Sequence, residues 1–403
     1  MSWQTVKISK LSKQIRGVSY AAGDVINTPK DGYIALLRAN NITDKGLTFD
    51  GLQYVPQSKV NDVQILRKND ILIAASSGSL SVVGKAGKFE GGTICTFGAF
   101  CKVIRPNNDV DPNFFSNFFQ TKTYRQTISS LAAGANINNL RNEHIDNLEL
   151  KLPPLPEQKR IAAILDKADE IRRKREQTIA KLDQLAQSIF VEMFGDLYSN
   201  PKNWDFTTLG EVISVLTDYH ANGSYEVLRK HVELKDDPDY ALMLRTTDLE
   251  NDDYINGVKY ISEKAYEFLE KSKVFGGEIV INKIGSAGKV YFVPYLNRPV
   301  SLGMNSFLLR FTDKVNNKFI YDVLKTNYCA SSINSKVRGA VTKTITKEAV
   351  RSIEIPLPPI SFQNEYVEKI QKLQKQKDLL SAALTKQTQL FASLQHQAFT
   401  GNL

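Results

Sequence analysis

Cysteine, histidine and long apolar runs are all scarce in this chain of 403 residues. The three cysteines, Cys95, Cys101 and Cys329, form no CxxC pair, and their odd number argues against a disulfide framework. The four histidines are scattered, so we expect no metal site. No segment reaches the roughly 18 apolar residues of a membrane span, and residues 1–10 lack the apolar core of a signal peptide. We therefore expect a cytoplasmic protein that does not associate with a membrane.

Catalytic motifs are missing as well. The sequence contains no Asn-Pro-Pro-Tyr type methyltransferase motif, no glycine-rich cofactor loop after a strand, and no Ser-His-Asp or nuclease arrangement. Two Gly-Lys loops, at residues 78–86 and 285–290, have five and two residues between their glycines, whereas a P-loop needs four and then Lys and Ser or Thr. We expect no catalytic residues. Nucleotide binding by these loops remains an alternative that titration with ATP would test.

Basic residues exceed acidic ones, and the excess is uneven. Lys and Arg number 52 against 43 Asp and Glu, which gives a net charge of +9. Residues 1–150 hold 17 basic and 12 acidic residues, whereas residues 197–356 hold 21 and 20. A protein that coats nucleic acid without selectivity needs a more uniform positive charge. This distribution favours selective contact through local patches, or no contact with nucleic acid at all.

The most informative feature is an internal repeat with a period of about 205 residues. Residues 143–158 align without a gap with residues 348–363, including Leu-Pro-Pro in both copies and the glutamines Gln158 and Gln363. Earlier segments match with small insertions. Each copy starts near a tryptophan, Trp3 or Trp204, and ends in a long polar segment after Leu-Pro-Pro. The chain is therefore a duplicated unit.

The part of each copy before Leu-Pro-Pro has a mixed pattern. Short β-rich runs lie among Gly, Asn and Asp residues that are typical of turns. These runs cover residues 71–75, 100–104, 279–282 and 306–311. Helical patterns cover residues 113–131 and 317–336. Each part is predicted to be an α+β globular domain.

A heptad pattern follows each Pro-Pro, which cannot continue inside a helix and so marks a helix start. Apolar residues recur alternately every four and three positions, as in the seam of a coiled coil. The seam residues are Ile161, Leu165, Ala168, Ile179, Leu182 and Ile189 in the first copy, and Tyr366, Ile370, Leu373, Leu380, Leu384 and Leu394 in the second. Each helix would run for about 37 residues, or roughly 55 Å. Two such helices bury their apolar stripes best against each other, and we expect antiparallel packing.

These patterns divide the chain into four segments. We predict an α+β domain over residues 1–150, a helical spacer over 151–196, a second α+β domain over 197–356 and a second spacer over 357–403. The predicted fold class is α+β, with two globular domains separated by two long antiparallel coiled-coil helices and related by a pseudo-two-fold internal repeat.

Polar side chains in equivalent loops are the candidates for contact with nucleic acid. Arginine pairs well with guanine and asparagine with adenine, and glycine loops let the backbone approach a phosphate. The candidates are Arg38, Asn40, Asn41, Ser79, Lys85, Lys88 and Asn136 in the first copy, and Arg245, Thr247, Lys283, Ser286, Lys289 and Lys343 in the second. For any one of them, capping or turn formation is the alternative role. Because equivalent loops differ in sequence, the two copies would read different short sequences.

One stretch of the chain resembles a known family. The run from Leu152 to Ile164, LPPLPEQKRIAAI, is followed by a heptad helix and resembles the specificity subunit of type I restriction-modification enzymes. The resemblance covers the full length, with two target-recognition domains and two helical spacers in the same order. The second copy departs from the motif, because Ser361-Phe362 stands where the first has Pro156-Glu157.

The resemblance implies a subunit without catalytic activity that directs partner subunits to DNA. Two methylation subunits and the restriction subunits would be guided to a bipartite double-stranded target. Each domain would read one half-site, and the paired helices would fix the gap between them. S-adenosylmethionine, ATP and magnesium are expected on the partner subunits, and no cofactor is expected on this chain. The alternative is a coiled-coil scaffold for protein interactions that does not bind DNA.

Overall fold

The computed structural model describes residues 3–132 and 138–403 of the chain. It contains two compact units, one of Met1–Ile179 with Leu379–Leu403 and the other of Ala180–Asp378. Each unit combines one α+β region with part of each of two long helices. Within the ranges that the structure describes, none of the helices has the length and apolarity needed to cross a bilayer.

The α+β region of the first unit consists of short strands and short helices. Its strands are β1 (Gln4–Lys7), β2 (Ser12–Arg16), β3 (Tyr33–Leu37), β4 (Ile42–Thr43), β5 (Gly46–Leu47), β6 (Gln53–Pro56), β7 (Ile71–Ala74), β8 (Ser76–Ser77), β9 (Ala86–Lys88), β10 (Cys95–Phe97), β11 (Cys101–Pro106), β12 (Asn138–Asn139) and β13 (Glu149–Leu152). Its helices are α1 (Ile8–Leu11), α2 (Pro112–Phe118), α3 (Lys122–Ala132) and α4 (Asn142–Asp146). One sheet has the antiparallel order β2-β11-β7-β9, and another has the order β10-β3-β6 with β10 parallel to β3.

The first long helix, α5 (Leu155–Phe194), begins directly after the Leu-Pro-Pro motif. Strand β13, which pairs antiparallel with β1, ends at Leu152 and leads into it. The helix stops at Gly195, whose φ of +78° lies in the left-handed region where a residue with a side chain is strained. The N–H of Gly195 donates to the carbonyl of Val191 at 2.8 Å. This is a glycine helix terminus of the common type.

The α+β region of the second unit repeats this topology. Its strands are β14 (Phe206–Thr208), β15 (Ile213–Asp218), β16 (Ala241–Leu244), β17 (Lys259–Ile261), β18 (Lys273–Val274), β19 (Ile279–Asn282), β20 (Val290–Phe292), β21 (Val300–Leu302), β22 (Ser306–Phe311) and β23 (Glu354–Pro356). Its helices are α6 (Leu209–Val212), α7 (Tyr225–His231), α8 (Thr246–Asn251), α9 (Glu263–Phe268), α10 (Asn317–Lys325), α11 (Asn327–Lys336) and α12 (Lys347–Arg351). The sheet β15-β22-β19-β20 corresponds to β2-β11-β7-β9, and β17-β16-β21 corresponds to β6-β3-β10. The predicted duplication is confirmed at the level of strand order.

The second long helix, α13 (Ile360–Thr400), follows the second Leu-Pro-Pro and ends in the same way as α5. Gly401 has a φ of +87°, and its N–H donates to the carbonyl of Gln397 at 3.1 Å. In the first unit, Arg160 near the start of α5 donates from Nη2 to the carbonyl of Leu403 at 3.0 Å. In the second unit, Phe190 near the end of α5 lies 5.7 Å, centroid to centroid, from Tyr366 near the start of α13. The two helices are therefore antiparallel, as predicted.

Equivalent aromatic contacts join each α+β region to the end of one long helix. In the first unit the ring centroids of Phe114 and Phe399 are 5.1 Å apart. In the second unit those of Phe319 and Phe194 are 5.0 Å apart. The repeat period relates Phe114 to Phe319 and Phe194 to Phe399. The first region thus packs on the end of α13 and the second on the end of α5, so equivalent residues make equivalent contacts in the two units.

The residues of the predicted heptad seam lie at buried or partly buried positions. Ile161, Leu165, Tyr366 and Ile370 are buried, and the eight other seam residues are all partly buried. By contrast, several leucine and isoleucine residues off the seam are exposed, among them Ile171, Leu185, Leu379 and Leu390. The seam continues through polar positions, since Arg172 is partly buried and lies over the ring of Phe391 at 6.0 Å.

The two shorter helical patterns differ from the structure in one detail. The patterns at 113–131 and 317–336 each form two helices rather than one, because a threonine interrupts each of them. The hydroxyl of Thr121 accepts from the N–H of Tyr124 at 3.2 Å, and the hydroxyl of Thr326 accepts from the N–H of Cys329 at 3.3 Å. Each threonine thereby caps the start of a new helix.

Candidate nucleic-acid interface

The first group of candidate residues lies directly after a buried strand in each unit. Arg38 follows β3 and Arg245 follows β16, and both strands end in a buried leucine. The N–H of Arg38 donates to Oδ1 of Asn41 at 3.0 Å, and the N–H of Arg245 donates to Oδ2 of Asp248 at 2.8 Å. The same backbone turn is thus present in both units.

A glycine at the end of the neighbouring parallel strand completes each turn. The N–H of Gly98 donates to the carbonyl of Leu37 at 3.0 Å, and the N–H of Gly303 donates to the carbonyl of Leu244 at 2.8 Å. A Cβ on Gly303 would lie 2.8 Å from that carbonyl oxygen, so a larger residue would force the strands apart. Equivalent strand ends therefore meet at one edge of each region.

A cavity opens beside each of these turns. In the first unit a cavity of about 210 Å³ is lined by Tyr20, Arg38, Asn40 and Phe100 among others. Asn40 is exposed, and Phe100 is 66% exposed. This edge combines a guanidinium and an amide, which can hydrogen-bond to the edges of bases, with an exposed aromatic ring, which can stack on a base.

The cavity of the second unit is larger. It has a volume of about 370 Å³ and is lined by Tyr219, Tyr225, Arg245, Thr247 and Met304 among others. Thr247 is exposed, Tyr225 is 64% exposed and Met304 is 46% exposed. The two cavities occupy equivalent places but present different side chains.

The Gly-Lys loop of the second unit is held by the loop before α12. The N–H of Gly285 donates to the carbonyl of Lys343 at 3.0 Å, and the N–H of Ile345 donates to the carbonyl of Lys283 at 3.0 Å. Ser286, Lys289 and Lys343 are exposed there. The structure therefore brings four of the second copy's candidates together.

The lysines of this loop have acidic neighbours. Lys283 Nζ lies 3.0 Å from Asp218, and Lys289 Nζ lies 3.3 Å from Glu250. Burial disfavours the charged form of Asp218, but the hydrogen bond from Lys283 and the charge of Lys347 outweigh it and lower the pKa of Asp218. Hydrogen bonds from Ser286 and Lys289 likewise lower the pKa of Glu250. These lysines are partly neutralised in the free protein.

The corresponding loop of the first unit is tied to the sheet by its backbone. Strand β12 pairs with β8, and the N–H of Leu140 donates to the carbonyl of Ala75 at 2.8 Å. Ser79 is exposed, and its hydroxyl lies 2.8 Å from that of Ser81. Lys85 Nζ lies 2.9 Å from the exposed Asp44. The candidate Asn136 lies outside the described residues.

Asn41 and Lys88 both have polar partners within the first unit. Asn41 is 1% exposed, and its Nδ2 donates to the carbonyl of Asp50 at 3.1 Å while its Oδ1 caps Arg38. Both ends of its amide are engaged within the first unit, and the prediction that Asn41 contacts DNA stays a prediction. Lys88 contacts Asn113 and lies 3.0 Å from Glu90. It lines a separate crevice of about 420 Å³, which does not include the Arg38 turn.

Sequence reasoning missed the exposed aromatic and apolar side chains at the cavities. Phe100, Tyr225 and Met304 become candidates only because the fold leaves them exposed beside the arginine turns. In the sequence, Phe100 is simply the start of a β-rich run. A repeat alignment that placed Gly98 over Gly303 would have identified the turn that carries them.

The cysteines lie in the cores. Cys95, Cys101 and Cys329 are buried free thiols. Burial raises the pKa of Cys95 and of Cys101 to about 12 and that of Cys329 to about 11, so the reactive thiolate form is disfavoured. In the residues open to description, no group of three or more His, Cys, Asp or Glu side chains could hold a metal ion.

Comparison with known proteins agrees with this geometry. A family model described as the type I restriction modification DNA specificity domain matches residues 2–184 and again residues 201–388. The chain is 30% identical over its full length to the StySPI specificity subunit of Salmonella potsdam and covers 89% of that protein. It is 40% identical over 185 residues to the EcoKI specificity subunit of Escherichia coli strain K12, which is 46% of this chain and 39% of that one.

A solved structure has the same fold. The S subunit of a type I restriction-modification system from M. genitalium has a TM-score of 0.59 and 18% identity, and the match covers 99% of this chain and 96% of that one. At this identity the likeness concerns the fold alone.

Proposed function

This chain belongs to the type I restriction-modification DNA specificity family, and from that membership we propose that it reads a bipartite double-stranded DNA target. Each α+β region recognises one half-site. The observation that supports this most strongly is the pair of equivalent strand-end turns, at Arg38 and Arg245, which carry different neighbouring side chains. A duplicated scaffold with unlike edges suits two unlike half-sites.

The chain itself acts as a targeting subunit without catalytic activity, in the cytoplasm. Methylation subunits that use S-adenosylmethionine, and restriction subunits that use ATP and magnesium, supply the chemistry. Two methylation subunits correspond to the two copies of the repeat. The absence of the sequence motifs for methyl transfer and DNA cleavage from this chain supports that division.

The two long helices set the gap between the half-sites. Helix α5 has 40 residues and α13 has 41, so each is roughly 60 Å long at 1.5 Å per residue. Both are free of glycine and of proline beyond the first turn, and their apolar seam is buried or partly buried. A stiff spacer of this kind fixes a length measured in base pairs, at about 3.4 Å each.

Selection from random duplexes tests the proposal. The full-length chain, alone and with its methylation subunits, is incubated with a library of random duplexes, and the bound fraction is sequenced. We expect one motif with two short specified parts and a gap of constant length. Enrichment of no motif, with equal binding to all duplexes or to none, would contradict the proposal and favour a protein-interaction scaffold.

A further inference from the structure

The two equivalent arginines have opposite electrostatic surroundings. Arg245 is neutralised in its own unit, because its Nη2 donates to Oδ1 of Asp248 at 2.6 Å and its Nε donates to Oδ2 at 3.2 Å. Nη2 also donates to the carbonyl of Gly257 at 2.6 Å. Asp248 is 4% exposed, and its hydrogen bonds raise the pKa of Arg245 further above its usual range. The Arg245 guanidinium is therefore held in one position, and its positive charge is paired with the Asp248 carboxylate.

Arg38 has no such partner. The residue that corresponds to Asp248 is Asn41, which is neutral and directs its amide to Asp50. Among residues 3–132 and 138–403, no carboxylate pairs with the Arg38 guanidinium, and its buried Nε has no hydrogen-bond partner. Arg38 lines the cavity together with Asn40 and Phe100. Leaving a partly buried guanidinium without hydrogen-bond acceptors costs free energy, and a ligand that supplies acceptors would remove this cost.

We propose that Arg38 is a specificity-determining residue that contacts a guanine in the first half-site, whereas Arg245 is a structural residue of the second region. A guanidinium presents two parallel donors that match O6 and N7 of guanine. The exposed ring of Phe100 beside it offers an apolar surface to the neighbouring base. This inference rests on the proposed function, and it predicts that the two half-sites are read by different chemistry.

Duplex selection with matched variants tests the inference. Arg38→Lys keeps the charge but loses the paired donors, and Asn41→Asp gives Arg38 the same carboxylate partner that Arg245 has. Both should erase one preferred guanine from one half-site and weaken binding to the wild-type target on the order of 10- to 100-fold, with the other half-site unchanged. Arg245→Lys tests the structural role assigned to Arg245, and it should lower the thermal stability of the chain. Arg105→Lys is the control that should leave the preferred bases in place, because the Arg105 guanidinium pairs with the buried Asp70 and lines neither cavity. Circular dichroism melts check that Arg38→Lys and Asn41→Asp are folded.

Three outcomes separate the possible failures. Uniform weakening across all duplexes, with the motif intact, would assign Arg38 to a phosphate and overturn the specificity claim. Loss of a base preference in Arg245→Lys without loss of stability would overturn the asymmetry. A wild-type chain that selects no bipartite motif would overturn the proposed function, and the inference with it.

Discussion

Replacing Gln158 with alanine removes one buried and one partly buried hydrogen bond at the start of α5. The side chain is 1% exposed, its Oε1 accepts from the N–H of Asp111 at 2.7 Å, and its Nε2 donates to the carbonyl of Pro153 at 2.8 Å. Alanine leaves the N–H of Asp111 and the carbonyl of Pro153 without this side-chain partner, at roughly 1–3 kcal/mol for each group that stays out of water. We expect the first unit to lose about 3 kcal/mol of unfolding free energy.

The two tryptophans allow each unit to be followed separately. Trp3 lies in the first unit and Trp204 in the second. In a Trp204→Phe background, tryptophan fluorescence during urea unfolding follows the first unit. With an m-value of about 2 kcal/mol/M, the expected loss lowers the midpoint by about 1.5 M. Gln177→Ala, at an exposed position of the same helix, is the control and should shift it by less than about 0.25 M. Equal shifts in the two variants would refute the reasoning.

The second unit offers an independent repeat of this experiment. Gln363 is 0% exposed, accepts from the N–H of Asn316 at 2.9 Å and donates to the carbonyl of Pro358 at 2.8 Å. In a Trp3→Phe background, Gln363→Ala should show a loss of similar size. Gln371→Ala, at an exposed position of α13, is its control.

Three further predictions concern the cores and the charged contacts. Ile161→Ala should cost about 2–5 kcal/mol, whereas Ile171→Ala, which is 42% exposed, should cost far less in the same urea assay. Arg105→Met should lower the unfolding free energy by about 3–5 kcal/mol, because it leaves Asp70 as an unpaired buried charge. Asp70 is 1% exposed and lies 2.7 Å from Arg105. Calorimetry should show that the double variant with Asp70→Leu recovers part of the lost stability. The pKa of Asp218 is lowered in the folded chain, so its charged form stabilises the fold at pH values above the ordinary pKa of 3.8. This stabilisation is lost as the pH falls through the lowered pKa. In thermal melts, Asp218→Asn should therefore be less stable than wild type at neutral pH, and the difference should vanish in acid.

The large-scale architecture was predictable from the sequence because its signals are repetitive. A period of about 205 residues identified the duplication, and heptad spacing identified both long helices and their seam. The Pro-Pro pairs predicted where the two long helices begin, and the structure places these starts at Leu155 and Ile360. Strands β19 and β22 have the predicted bounds, since continuous apolar runs between turn residues leave little ambiguity.

The candidate interface was less predictable because its chemistry depends on contacts between distant segments. Asn41 and Asp248 align in the repeat, but only their contacts show that one leaves an arginine unpaired and the other neutralises it. The approach of Lys283 to Asp218 joins residues 65 positions apart. Local sequence carries no signal for such pairs.

The most direct test of the central claim is the gap length selected by a chain with shortened helices. Deleting one heptad from each helix within the first unit, residues 172–178 and 385–391, keeps the seam in phase and removes about 10.5 Å of helix. In the random-duplex selection, we predict that both half-sites are retained and that the gap changes by about three base pairs. An unchanged gap, with both half-sites still selected, would contradict the role of the helices as the spacer.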